Sequence, residues 1–134
     1  MQAYWDASAA LALVFEEIHS AAARKAQTEF AVMTAWSWTR VEIEAGAARR
    51  DRSGSRRAAI AAMLSRITWL KLDEQDYPAI ITLNQSLRLR ATDAGHLFCI
   101  RRIHQLDPSV ALVCFDAELC AAARAAKLRV WSPR

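Results

Sequence analysis

Hydrophobic positions along the chain fall into two rhythms, and their alternation predicts the architecture. Short apolar runs end abruptly in polar residues: Tyr4-Trp5 before Asp6, Phe30-Ala31-Val32-Met33 before Thr34, and Val110-Ala-Leu-Val-Cys114 before Phe115-Asp116. Continuous apolar runs of this length suit strands buried on both faces of a parallel sheet. Ile67-Thr68-Trp69-Leu70-Lys71-Leu72 alternates instead, as a half-solvated strand does, and Leu128-Arg-Val-Trp131 reads as a last short strand. Between the runs the spacing is helical. The first helix is expected from a Ser8 cap through Leu11, Val14, Phe15 and Ile18, with Glu16-Glu17 on its solvated face. Further helices are expected over 21–28, 35–50, 58–66, 73–85 (Pro78 being tolerable in a first turn) and 117–126. Another begins at Asp93, capped by Thr92, and ends near His104, before the turn that Asp107-Pro108 forces. Asp51-Arg-Ser-Gly-Ser55 is the clearest break but is too short to be a linker. The expectation is a single domain over residues 1–134, an α/β fold with helices on both faces of a mostly parallel sheet.

Composition narrows the class. With 54% hydrophobic residues and only three glycines and three prolines, disorder is excluded, and 134 residues can bury a core without staples. Cys99, Cys114 and Cys120 sit in apolar or alanine-rich company without metal-ligand spacing. They read as small buried hydrophobes in a reducing compartment, neither a disulfide framework nor a zinc site. The opening residues lack a basic signal-like region, and no apolar run reaches the ~18 residues that span a bilayer, so a cytoplasmic protein without membrane segments is expected. The net charge of +4 is concentrated in two arginine groups, Arg49, Arg50, Arg52, Arg56 and Arg57, then Arg88, Arg90, Arg101 and Arg102. Phosphate-binding surfaces and solvated helix faces both account for them, and charge alone leaves the choice open.

Candidate chemistry comes from the acids. In parallel sheets, sites form outside the carboxyl ends of the strands. Asp6 and Asp116 each follow an apolar strand, so both are expected at that edge, and Asp93 opens a helix after a polar turn. Helix capping accounts for each of them singly; Ser8 and Thr92, as caps, would leave Asp6 and Asp93 free. Glu42 has Trp38, Thr39, Ala45 and Gly46 as its helical neighbours, none of them basic, whereas Glu44 has Arg40 one turn before it. Glu42 can therefore project into a pocket. Carboxylates gathered in one cleft repel unless a cation neutralises them, and Mg²⁺ and Mn²⁺ prefer oxygen ligands. The expectation is a divalent-metal site built from Asp6, Glu42, Asp93 and Asp116, suited to phosphodiester hydrolysis. No Gly-rich phosphate loop, Gly-x-Ser-x-Gly elbow or His-Glu-x-x-His motif offers a competing centre. His96, beside Leu97 and near Ile100, reads as a partly buried, internally satisfied histidine, and Trp36 and Trp38 as core or interface residues.

Four segments, in order, resemble the PIN-domain ribonucleases, specifically the VapC-type toxins of toxin–antitoxin pairs. Tyr4-Trp5-Asp6-Ala7-Ser8-Ala9-Ala10 is similar to the opening Asp-x-Ser/Thr-Ala-Leu strand and turn, and Val41-Glu42-Ile43-Glu44-Ala45 to the segment carrying the family's Glu. Leu89-Arg-Ala-Thr-Asp93-Ala-Gly-His96-Leu97 resembles the Leu-Arg-x-x-Asp-Ala-x-His-Leu signature, and Val113-Cys-Phe-Asp116-Ala-Glu-Leu119 the fourth-acid strand and helix. The resemblance implies a PIN-like three-layer α/β/α fold and a Mg²⁺- or Mn²⁺-dependent endoribonuclease. It implies metal-site roles for Asp6, Glu42, Asp93 and Asp116, with Ser8 as a hydroxyl behind them. It further implies an RNA substrate, a cognate antitoxin and a homodimer, with Leu11, Val14 and Phe15 supplying part of an antitoxin groove. Two positions depart from the pattern: Cys114 stands where relatives have Ser or Thr, and Gly95 where a larger apolar residue is common. The alternative within the same fold is an RNA- or antitoxin-binding protein with weak or no catalysis. A receiver-like signalling domain would want a lysine after a late strand, and Lys127 precedes its strand instead.

Overall fold

The chain begins in the middle of its own sheet. In the computed structural model, which describes residues 1–133, strand β1 (Gln2–Trp5) is flanked by β2 (Val32–Trp36) on one side and β4 (Ala111–Val113) on the other. Outside them lie β3 (Ile67–Leu70) and β5 (Arg129–Val130), giving the order β3-β2-β1-β4-β5 with every pair parallel. The chain leaves β1 outward through α1 (Ala7–Val14), α2 (Ser20–Glu29), α3 (Trp38–Arg50) and α4 (Arg57–Ser65). It returns past β1 through α5 (Tyr77–Leu87) and α6 (Ala91–Leu106), and α7 (Ala117–Ala125) joins β4 to β5.

Strand alternation sorts the core into two layers. Ala3 and Trp5 of β1 and Ala111 and Val113 of β4 pack with Leu11, Ile43, Ile60 and Met63 from α1, α3 and α4. Tyr4 and Leu112 point the other way, onto Leu97, Ile100 and Leu119 of α6 and α7. The result is the expected α/β/α arrangement with an all-parallel sheet. Burying a side chain such as Leu97 or Ile100, each 0% exposed, contributes roughly 1.5–3 kcal/mol. By contrast α5 has no buried residue, and Tyr77 and Ile81 are half exposed or more. Among the described residues no helix is long and apolar enough to cross a membrane.

Several boundaries differ from the sequence expectation for identifiable reasons. The first helix stops at Val14, and Ile18 lies outside it, 91% exposed. Ser20 causes this stop, its hydroxyl donating to the Phe15 carbonyl and accepting from the Glu17 amide. Of the three residues expected in a docking groove, Leu11 and Val14 are buried in the core, while Phe15 is only partly buried. β2 is displaced toward Trp36; Thr34, expected to end it, sits mid-strand and donates to Gln2 on β1. Two capping assignments also change. Asp6, not Ser8, caps α1 by accepting the Ala9 amide proton at 3.0 Å. α6 starts at Ala91, with Arg90 at the cap position and no side-chain cap, so Thr92 lies inside the first turn.

Candidate functional site

Connections reverse direction between β1 and β4, since β1 leads out to β2 while β4 arrives from the far side; a crevice opens at such a switch point. There Asp6, Glu42, Asp93 and Asp116 line one cleft of about 230 Å³ together with Ser8, Arg90, Thr92 and His96. All four acids expected to converge do so, from four separate segments. The reasons are local. Asp6 and Asp116 end strand connections as the N-caps of α1 and α7, Asp93 lies in the first turn of α6, and Glu42 lies on α3 next to fully buried Ile43.

Asp6 is 6% exposed and all its hydrogen-bond partners are neutral. Ser8 Oγ reaches both carboxylate oxygens at 2.8 and 2.9 Å, and the Cys114 thiol donates to Oδ2 at 3.3 Å. Burial pushes the Asp6 carboxyl above the ordinary aspartate range, more than these donors lower it. Ser8 also accepts from the Phe115 amide at 3.3 Å, tying the loop after β4 to α1. The thiol of Cys114 thus makes the contact expected of a hydroxyl. Its neighbour Cys120 and burial push it far above the usual thiol range, so it remains a donor.

Capping engages only one carboxylate oxygen of Asp116. Asp116 uses Oδ1 to accept from the Glu118 and Leu119 amides, while Oδ2 faces the cleft and receives Arg90 Nη2 at 2.8 Å. Arg90 Nε donates to Asp93 Oδ2 at 3.1 Å, so one guanidinium bridges two of the acids. Glu42 has a partner that helical spacing did not reveal, His96 from the opposite helical layer, at 2.7 Å from Nε2 to Oε1. Glu44 pairs with Arg57 of α4, not with Arg40. Each acid is therefore drawn toward a protein group. Among the described residues no set of three or more His, Cys, Asp or Glu is arranged as a ready-made metal-holding cluster.

The arginine groups divide. Arg50 donates to Glu17 and to the Gly46 carbonyl, Arg57 is held by Glu44, and Arg102 pairs with Asp76 over the Phe98 ring. Arg49, Arg52 and Arg56 line an open cavity of about 460 Å³ with Phe15 and Ser53, at the far end of α3 from the cleft.

Among solved structures, the crystal structure of PAE2754 from Pyrobaculum aerophilum is similar to this chain. The TM-score is 0.63 at 21% identity, over 90% of this chain and 84% of that one. That likeness shows the fold. No family model matches the chain, and no curated protein sequence matches it.

Proposed function

We propose that this chain is a Mg²⁺- or Mn²⁺-dependent endoribonuclease, a PIN-domain toxin of the VapC type as its motifs suggest. What carries the reading is the meeting of Asp6, Glu42, Asp93 and Asp116 in one cleft at the switch point, with Asp6 buried among neutral partners. The donor set has the chemistry of a hard-ion site, carboxylate oxygens backed by a serine hydroxyl, and these four acids would hold the ion. When bound, such an ion supplies Lewis acidity, lowering the pKa of water and offsetting negative charge at the phosphate. The chain's own groups do the rest. Ser8 and Cys114 fix the Asp6 oxygens, and the cap contacts of Asp116 leave its other oxygen turned to the cleft. Arg90, 66% exposed at its side chain, is the one permanently positive group among the described residues that line the cleft. It can turn from Asp93 and Asp116 to a substrate phosphate.

Purified protein, free of antitoxin, is expected to cleave RNA with Mn²⁺ and not with EDTA. Mn²⁺ at a hundred times its dissociation constant should also stabilise the fold by about 2.7 kcal/mol. A second reading, a protein of the same fold that binds RNA or an antitoxin without cutting, is favoured by the Arg90 bridge and by the lack of a preformed ion cluster among the described residues. It expects neither cleavage nor stabilisation by Mn²⁺, with RNA binding retained.

RNA, a cognate antitoxin and a second copy of the chain are the partners this proposal carries. For RNA, the arginines of the open cavity give a specific expectation. Changing Arg49, Arg52 and Arg56 together to Gln should weaken RNA binding several-fold and lower its salt slope, by about 0.7 for each phosphate no longer neutralised. Filter binding between low and moderate salt reads this. An unchanged slope would make the cluster a solvated face.

A further inference from the structure

Two hydrogen bonds run inward from the cleft. His96 is 2% exposed, and its two ring nitrogens are both engaged, Nε2 with Glu42 Oε1 at 2.7 Å and Nδ1 with Tyr4 Oη at 2.6 Å. Tyr4 is fully buried on β1, between the strand residues that lead to Asp6. Three elements from both sides of the sheet, β1, α6 and α3, are thus joined in one line ending at a cleft carboxylate.

Chemistry fixes the direction of the protons. An ionised carboxylate only accepts, so Nε2 carries the hydrogen given to Glu42. In a neutral imidazole Nδ1 then holds the lone pair, and the phenol hydroxyl donates to it. Every polar atom in the line is satisfied without placing a second cation in the cleft. The other neutral tautomer would let Nδ1 donate to the phenol oxygen but would set a lone pair of Nε2 against the Glu42 carboxylate, which cannot donate. Trp36 braces the ring edge-on, at 5.4 Å between centroids and 86° between planes.

From this geometry we infer that His96, held in its Nε2–H tautomer between the Glu42 carboxylate and the Tyr4 hydroxyl, is a positioning residue that fixes Glu42 as an ion ligand in the cleft. The inference rests on the metal-site reading for its purpose and on the Tyr4–His96–Glu42 contacts for its existence. Among the described residues, His96 is the side chain that holds the Glu42 rotamer, whereas Asp6 and Asp116 are held by their own caps. An outer group that orients a ligand in this way is worth about ten- to a hundredfold in ion affinity.

Two measurements test it. Imidazole ¹⁵N NMR on the EDTA-treated protein should show His96 protonated at Nε2 and bare at Nδ1, with the Nδ1 signal moving in Tyr4→Phe. Mn²⁺ binding by titration calorimetry should weaken about tenfold in His96→Leu and recover in large part in His96→Gln, whose amide offers one donor and one acceptor. In a Glu42→Ala background, His96→Leu should change Mn²⁺ affinity no further, because its effect passes through Glu42. An Nδ1–H tautomer overturns the inference, as does equal weakening with and without Glu42. If the tautomer is as stated and Tyr4→Phe moves it, yet the unaltered protein binds no Mn²⁺, the metal reading fails while the positioning of Glu42 stands.

Discussion

Asp6→Asn is expected to reduce RNA cleavage by more than about a hundredfold, the upper end of what losing even an outer partner of a metal ligand costs. The same change should make the metal-free protein more stable at neutral pH. Both effects come from one fact: a buried carboxylate with only neutral hydrogen-bond partners. Its pKa is raised in the folded state, chiefly by burial, so folding favours the protonated form. The associated stability is fully present below the pKa of the unfolded chain and is lost as pH rises through the raised folded value. Above that window the ionised group is a standing cost. Asparagine carries no charge at any pH and caps a helix as well as aspartate does, keeping Oδ1 on the Ala9 amide. Thermal melts in EDTA should therefore show the two proteins alike in acid and the Asn variant pulling ahead as pH climbs. Adding Mn²⁺ should stabilise only the protein with Asp6. If the two proteins instead melt alike at every pH, with and without Mn²⁺, Asp6 is a helix cap and nothing more.

How far such a site can be read from a sequence depends on the range of the contacts that build it. Asp6 and Asp116 were legible because an apolar strand followed by an acid places that acid at the sheet's carboxyl edge. Which residue caps was not legible, since Asp6 and Ser8 are chemically interchangeable there; the fold resolves it by having Ser8 donate to Asp6. Glu42 was singled out by the partners it lacks within its own helix. Its actual partner, 54 residues later and in the other helical layer, leaves no periodic trace. The arginines looked alike in composition but differ in use: Arg50, Arg57 and Arg102 are held in ion pairs with Glu17, Glu44 and Asp76, while Arg90 enters the cleft. Element ends slipped by a few residues where a side chain outside the element set the boundary, as Ser20 does for α1.

Gly95→Ala is the substitution on which helix propensity and packing disagree most sharply. Within the body of α6, glycine costs about 1 kcal/mol relative to alanine, so propensity alone makes the change stabilising. A methyl group placed there would lie 2.5 Å from Cη2 and Cζ3 of Trp36 and 3.3 Å from Cε3. The indole is a rigid plate at the end of β2, edge-on to His96, and cannot retreat without disturbing that ring. Overpacking of this kind costs about 1–3 kcal/mol, which outweighs the propensity gain over most of that range. Gly95→Ala is therefore expected to lower stability, as measured by urea unfolding. In a Trp36→Ala background the obstruction is gone, and the same substitution should raise stability by about 1 kcal/mol. A reversal of sign between the two backgrounds is the signature of direct contact. Stabilisation in both would mean that the indole yields freely and that the close approach at Gly95 constrains nothing. With the reversal, the missing side chain at position 95 has a physical explanation: its volume belongs to Trp36, which braces the histidine that holds Glu42.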